Sequence, residues 1–212
     1  MPFYFFKMNY HLKDKALLNL KIKGKYASIW IPHATHIVIG QSNSVKSSIY
    51  PKRAKTEKIA ITKRPTGGEA VLISPRTIII SAVEIGNSQR KPQDIFSQLN
   101  QLITASLSDL KIKKLGANGI SDLTIMNKKI LGSSIYRNQE KYFYHAVLNH
   151  SEEPKFIEYY LRHPQREPDY RKKRKHSDFI TSILAEGYNI PIEKVKKHIS
   201  INFHKNGWQS LV

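Results

Sequence analysis

Apolar and polar positions along the chain fall into two patterns. Residues 92–110 carry the clearest helical one, with Ile95, Leu99, Leu102, Ile103, Leu107 and Leu110 at the 3.6-residue period. Pro92 stands near the start, where its missing N–H costs nothing. Residues 11–22 set Leu12, Leu17, Leu18 and Leu20 among Lys and Asp, which predicts an amphipathic helix stopped near Gly24. Short β-rich runs cover 27–32, 36–40 and 58–63, and 46–58 reads as a basic loop or short surface helix. Runs at 70–73 and 76–83 predict a hairpin broken at Ser74-Pro75, with Ile78-Ile79-Ile80 buried on both faces. A loop at 86–91 leads into the long helix. Three more runs follow that helix, at 123–126, 129–134 and 142–148, the first two joined by a two-residue turn at Asn127-Lys128. The last sixty residues predict helices at 154–161, 178–185 and 192–199, with 162–169 extended on the surface because of Pro164 and Pro168. Strands cluster instead of alternating with helices. That pattern predicts an α+β fold with a mixed, largely antiparallel sheet flanked by helices.

Composition narrows the class. Hydrophobic residues make up 40% of the 212 positions, enough for a packed core. Thirty-five Lys and Arg stand against 16 Asp and Glu, a formal charge of +19, and residues 1–150 hold +15 of it. Such a chain should meet anions: nucleic acid, phosphorylated ligands or an acidic protein surface. The run Tyr170-Arg171-Lys172-Lys173-Arg174-Lys175-His176 reads as a solvated loop or helix approach in preference to a nucleic-acid patch. There is no cysteine, which excludes disulfides, Cys-based zinc sites and cysteine nucleophiles. No apolar run approaches the roughly 18 residues of a membrane span. The start, Met1 to Lys7, is too short and too soon interrupted for a secretory signal. The expectation is a soluble, cytoplasmic protein without membrane partners.

Two segments carry candidate chemistry. In Lys63-Arg64-Pro65-Thr66-Gly67-Gly68-Glu69-Ala70-Val71, two adjacent glycines let backbone N–H groups approach an anion, and Lys63 and Arg64 add charge. Taken alone, a tight turn with surface cations is the preferred reading, since Gly-Gly turns are common. The spacing is neither a P-loop nor a dinucleotide fingerprint. The second segment, residues 119–134, reads as a hairpin in which Lys129 opens the second strand, Gly132 interrupts it and Asp122 lies across from Lys129. A strand glycine marks close approach by a ligand or another backbone. A lysine so placed can stabilise charge developing on a phosphate or acyl group.

Together the segments resemble the lipoate–protein ligase A family, within the biotin and lipoate protein ligase superfamily. Arg64-Pro65-Thr66-Gly67-Gly68-x-Ala70-Val71 is similar to its Arg-Arg-x-Ser/Thr-Gly-Gly-x-Ala-Val motif. Ser121-Asp122-Leu123-Thr124 and Lys128 to Ser134 resemble its Asn-Asp-Ile/Leu and Lys-Ile-Ser-Gly-Ser segment. Tyr144-His145-Ala146-Val147-Leu148 resembles its His-Gly-Thr-Leu-Leu strand, and residues 37–43 its Val-Val-Ile-Gly element. The four stand in the family's order.

The resemblance implies a biotin/lipoate ligase catalytic-domain fold, with the ligand in a channel over the sheet. It implies that ATP, Mg²⁺ and lipoate or octanoate give an acyl-adenylate, whose acyl group passes to an acceptor lysine. Lys129 would be the essential lysine. Arg64, Thr66, Gly67, Gly68, Ala70 and Val71 would enclose the acyl-adenylate, and Asp122 would lie near nucleotide and metal. Gly132, Ser133, Ser134 and His145 would line the acyl channel. Residues 1–150 would form the catalytic core and 151–212 a helical tail packed on the same domain, as in short members that lack the large accessory domain. The implied partners are acidic lipoyl-acceptor domains and a separate accessory chain; no nucleic acid is expected. Glu69, Ile73, Ser121, Leu131 and Ala146 depart from the motifs, and Ser81-Ala82-Val83 lacks a frequent Asn. A superfamily member that only binds acyl groups or acceptors, and a basic nucleic-acid-binding protein, stay open as alternatives.

Overall fold

The apolar run after Pro75 becomes the centre of the larger of two sheets. A computed structural model describes residues 12–86 and 89–211, so Met1 to Lys7, His11 and part of the 86–91 loop lie outside the described residues. In chain order the elements are α1 (Lys15–Asn19), β1 (Gly24–Trp30), β2 (His36–Ile39), α2 (Val45–Ser48), α3 (Pro51–Thr56), β3 (Ala60–Lys63), β4 (Val71–Ile73) and β5 (Thr77–Ile85). There follow α4 (Pro92–Asp109), β6 (Leu115–Asn118), β7 (Asp122–Ile125), β8 (Lys128–Arg137), β9 (Lys141–Asn149), α5 (Pro154–Tyr160), α6 (His176–Phe179), α7 (Ile192–Lys205) and β10 (Gln209–Ser210). The large sheet runs β10-β1-β5-β9-β8-β7-β6 and is antiparallel except where β1 meets β10. The small sheet is β3-β2-β4, with β2 parallel to β3 and antiparallel to β4. The α+β reading with a mixed, largely antiparallel sheet holds.

Strand alternation sorts the side chains into two layers. Ile78, Ile80 and Ala82 of β5 and Tyr142, Tyr144, Ala146 and Leu148 of β9 meet Ile95, Leu99, Ile103 and Leu107 of α4 and Val195, Ile199 and Phe203 of α7. Ile79 points the other way, onto Val38 and Ile73 of the small sheet. All of β5 is therefore buried. The opposite face of the small sheet packs Ile37, Ile39 and Leu72 against α3 and α5.

Several sequence expectations are corrected. β4 and β5 are not a hairpin: β4 pairs with β2, and the Ser74-Pro75-Arg76 link carries the chain from one sheet to the other. The helix expected over 11–22 shrinks to α1: Asp14 accepts a hydrogen bond from Ser81 (2.6 Å) instead of capping the start, and Leu20 is extended at the end. The turn between β7 and β8 is Met126-Asn127, since Lys128 pairs with Ile125. The helix expected over 178–185 ends at Phe179, where Ile180 bridges to Lys129 in an extended conformation. β6 was not expected.

Candidate active site

One irregularity in β8 decides which way Lys129 points. Asp122 pairs with Gly132 and Leu123 with Leu131, but the next residue, Thr124, pairs with Lys129, so Ile130 is an extra residue opposite that step. Without this bulge, Lys129 and Gly132 would lie on opposite faces. With it, Ile130 and Leu131 both join the helix-side core, and Lys129 turns to the face that carries Gly132, Ser134 and His145. Gly132 is the consequence: a Cβ there would sit 2.7 Å from both Cε and Nζ of Lys129. The close approach marked by this glycine is made by the lysine of its own strand.

The Lys129 ammonium lies 2.9 Å from Asp122 Oδ1. Asp122 Oδ2 accepts a hydrogen bond from Tyr170 (2.8 Å). The Lys129 carbonyl accepts from the Thr181 amide (2.9 Å). The lysine is thus fixed at its side chain and at its backbone by the segment after α5. Tyr170 gives up its proton less readily than a solvated phenol, because it is desolvated and faces the Asp122 carboxylate.

A cavity of about 580 Å³ opens beside this lysine. That size suits a small-molecule ligand. Asp122, Lys129, Gly132, Ser133, Ser134 and His145 border it on one side, and Arg64, Gly68, Ala70 and Val71 on the other. Ser133 has its hydroxyl donated to the Ser121 carbonyl (2.7 Å). His145 is buried, which pushes its imidazole below the ordinary histidine range; Asp14 opposes that shift and Arg64 reinforces it.

The Gly-Gly turn is braced from inside. Arg64 is buried and donates to the carbonyls of Gly67 (2.7 Å), Glu69 (2.8 Å) and Val38 (3.2 Å) and to Thr66 Oγ1 (2.9 Å). Its guanidinium therefore serves as the scaffold of the loop more than as a cation offered outward. Thr66 is fully buried behind the wall and accepts from Ser134 (2.9 Å), tying the loop to β8. A Cβ on Gly67 would meet open space. Glu69 turns its carboxylate to Asn43 Nδ2 (3.0 Å) and the Arg166 amide (3.2 Å), so its charge is engaged away from Lys129. Ile73, a departure from the motif, is fully buried and packs in the apolar layer between the sheets.

The C-terminal part adds residues to the site. Residues 162–169 lie on the surface as expected and are non-helical up to Pro168, and Pro164, Arg166, Glu167 and Pro168 also border the cavity. The run 170–176 leads into α6 as a helix approach, with Lys172, Lys173 and Lys175 exposed, but it is not solvated throughout: Arg171 and His176 are buried and border the cavity too. Arg171 stacks on Phe179 (4.6 Å) and pairs with Glu167 (3.4 Å). Two prolines followed by Tyr-Arg-x-x-Arg-x-His was the available signal. Its charge density pointed to solvent, which holds for the lysines, whereas Arg171 and Arg174 stack on Phe179 and donate to backbone carbonyls.

His176 supplies a pH handle. Burial, reinforced by the charge of Arg171, pushes its imidazole down to about 4. Between pH 6.5 and 4 the unfolded chain binds a proton there that the folded one refuses, so stability falls as pH falls through that window. The loss is about 3 kcal/mol at most. Urea denaturation at pH 7.5 and 4.5 should show a smaller difference for His176→Gln than for the natural chain. Equal differences would put the sensitivity elsewhere.

Metal ligation does not fit these residues well. Among the described residues no group of three His, Cys, Asp or Glu could hold an ion, and both Asp122 oxygens have partners.

The large sheet thus carries a lysine that faces a braced Gly-Gly loop over one cavity. The family model of the lipoyl protein ligase A/B catalytic domain matches residues 6–204, and the chain belongs to that family. It is 24% identical to the Plasmodium falciparum protein named inactive lipoate–protein ligase 2, over 77% of this chain and 53% of that protein. The chain thus spans about half the length of that curated relative. Its fold is similar to a chain of the bi-partite lipoate protein ligase and E2 lipoyl domain system of Thermoplasma acidophilum (TM-score 0.76, 15% identity, 90% of this chain and 77% of that one). It is also similar to a lipoate-protein ligase A bound with ATP (TM-score 0.74, 15% identity, 89% and 76%). No helix among the described residues is long and apolar enough to cross a membrane.

Proposed function

We propose that this chain joins lipoate, or octanoate, to a lysine of an acceptor protein in two steps. The acid's carboxylate attacks the α-phosphorus of ATP and expels pyrophosphate. The acceptor amine then attacks the acyl carbonyl, expels AMP and gives up a proton. The observation that carries this reading is the Lys129 ammonium at the cavity wall, held 2.9 Å from Asp122 and facing the Gly-Gly loop. Negative charge grows on the phosphate and the carbonyl oxygen during these steps, and a pre-oriented ammonium stabilises it without reorganising at that moment. The ion pair with Asp122 keeps the ammonium extended until an anionic substrate competes for it. Ala70, Val71, Leu72 and Val147 give the cavity an apolar side for the acyl chain. Membership of the family supports the reading, as does the ATP-bound relative by fold.

A second reading is binding without adenylation. The word "inactive" in the name of the Plasmodium relative favours it. Pyrophosphate release with ATP, Mg²⁺ and lipoate separates the two. Release that depends on lipoate supports the ligase. Lipoate binding without release leaves the binding reading, unless an accessory chain restores release; the bi-partite Thermoplasma system motivates that addition. We include residues 151–212 in the catalytic unit, because the cavity is bordered by residues up to Ile180.

A further inference from the structure

The basic segment 46–58 is left unused by the chemistry above. It holds Lys46, Lys52, Arg53, Lys55 and Lys58 against a single acid, Glu57, and Glu57 accepts a hydrogen bond from Tyr160. The four lysines are exposed. Arg53 differs from them in being pre-oriented. Its guanidinium carbon lies 4.2 Å from the centre of the Tyr50 ring and 4.6 Å from that of Tyr159. One of its nitrogens donates to the Tyr159 carbonyl (2.6 Å). Arg162 approaches the same Tyr50 ring at 4.4 Å and donates to the Ile49 carbonyl (2.9 Å). Arg53 and Arg162 thus share the Tyr50 ring. The result is a ladder, Tyr159–Arg53–Tyr50–Arg162, whose last rung borders the cavity.

Among the described residues neither arginine has an acidic partner. Each is held by stacking and by one backbone carbonyl, with its remaining N–H groups directed along the plane of the fork. Arginine held this way meets a carboxylate with two parallel hydrogen bonds at little cost in side-chain entropy. The charge of this surface complements an acidic protein face.

We propose that this ladder, with the lysines of α2 and α3 around it, is the docking surface for an acidic protein, the acyl-acceptor domain, whose carboxylates engage Arg53 and Arg162. The proposal rests on the ligase reading, which supplies the acceptor. A partner seated there has its reactive lysine beside the cavity mouth at Arg162. The surrounding lysines steer the encounter, and the two arginines fix its register.

The test uses the full chain, an isolated acidic lipoyl-acceptor domain, and the variants Arg53→Glu, Arg53→Lys and Lys197→Glu. Lys197 is exposed on α7, on the helix side of the large sheet, and Lys197→Glu makes the same charge change as Arg53→Glu apart from the guanidinium. Thermal melting identifies any variant that fails to fold. Arg53→Glu should raise the KM for the acceptor by about tenfold or more and flatten its dependence on salt. Lipoate-dependent pyrophosphate release should stay unchanged. Arg53→Lys should keep the salt dependence and lose part of the affinity. Lys197→Glu should do neither. Equal effects of Arg53→Glu and Lys197→Glu, or none from Arg53→Glu, would overturn the proposal. Loss of binding to a single-stranded RNA oligonucleotide in Arg53→Glu, with the acceptor KM unmoved, would overturn it in favour of nucleic acid. Should the natural chain release no pyrophosphate, calorimetric titration with the acceptor domain reads docking alone. Binding weakened by Arg53→Glu then upholds the surface while the ligase reading falls.

Discussion

Replacing Lys129 by alanine should cut lipoate-dependent pyrophosphate release by roughly 10²–10³-fold, the usual cost of losing one donor aimed at developing charge. The melting temperature should change little by comparison. The bulge at Ile130 and the β8–β9 pairing do not depend on the side chain beyond Cβ, and Asp122 keeps its hydrogen bond from Tyr170. Lys129→Arg is the sharper variant. It keeps the charge, but the space above Gly132 is already filled by the lysine's own Cε and Nζ. A planar fork does not fit where a compact ammonium does, so Arg should recover only a small part of the rate. Pyrophosphate release within about tenfold of the natural chain in Lys129→Ala would remove the lysine from the chemistry.

Gly40→Ala should produce the largest effect of any single added methyl group. Gly40 follows β2, where the chain passes against the Gly-Gly loop. A Cβ there would lie 1.8 Å from the Gly68 carbonyl oxygen, which is backbone and cannot rotate away. The loop must lift by more than an ångström. Lifting it strains the Arg64 hydrogen bonds to Gly67 and Glu69 and the link from Ser134 to Thr66. Overpacking of this kind costs about 1–3 kcal/mol, or roughly 2–10 °C in Tm for a chain this long. Lipoate affinity, measured by calorimetry, should fall further than stability does, because one wall of the cavity moves. An unchanged lipoate affinity would show that the loop does not form the ligand's wall.

These two residues show what could be read from the chain and what could not. Val38-Ile39-Gly40 and Arg64 to Val71 were visible as local motifs, and their proximity rests on the pairing of β2 with β4 across thirty-odd positions. Local sequence does not state which strand a strand will choose, which is why β4 and β5 read as a hairpin although they belong to different sheets. The long helix and the doubly buried β5 were legible, because periodicity and a continuous apolar run record burial directly. β6 was not, since Leu-Gly-Ala-Asn shows neither alternation nor β-branched residues. The direction of Lys129 was also hidden. Strict alternation sets it opposite Gly132, and only the extra residue at Ile130 reverses that. Tyr170 could not be connected with Asp122, because 48 positions separate them and one hydrogen bond joins them.

The hold that Tyr170 and Thr181 keep on the lysine segment sets a schedule for the life of each molecule. On the ribosome, the two sheets can begin to assemble once β9 has emerged. Until residue 181 has left the exit tunnel, Asp122 lacks its phenol partner and the Lys129 carbonyl its amide. A half-made chain therefore lacks both holds on the lysine segment, and a proteolytic nick between residues 162 and 181 should loosen them in a mature molecule while leaving the β5–β9 pairing in place.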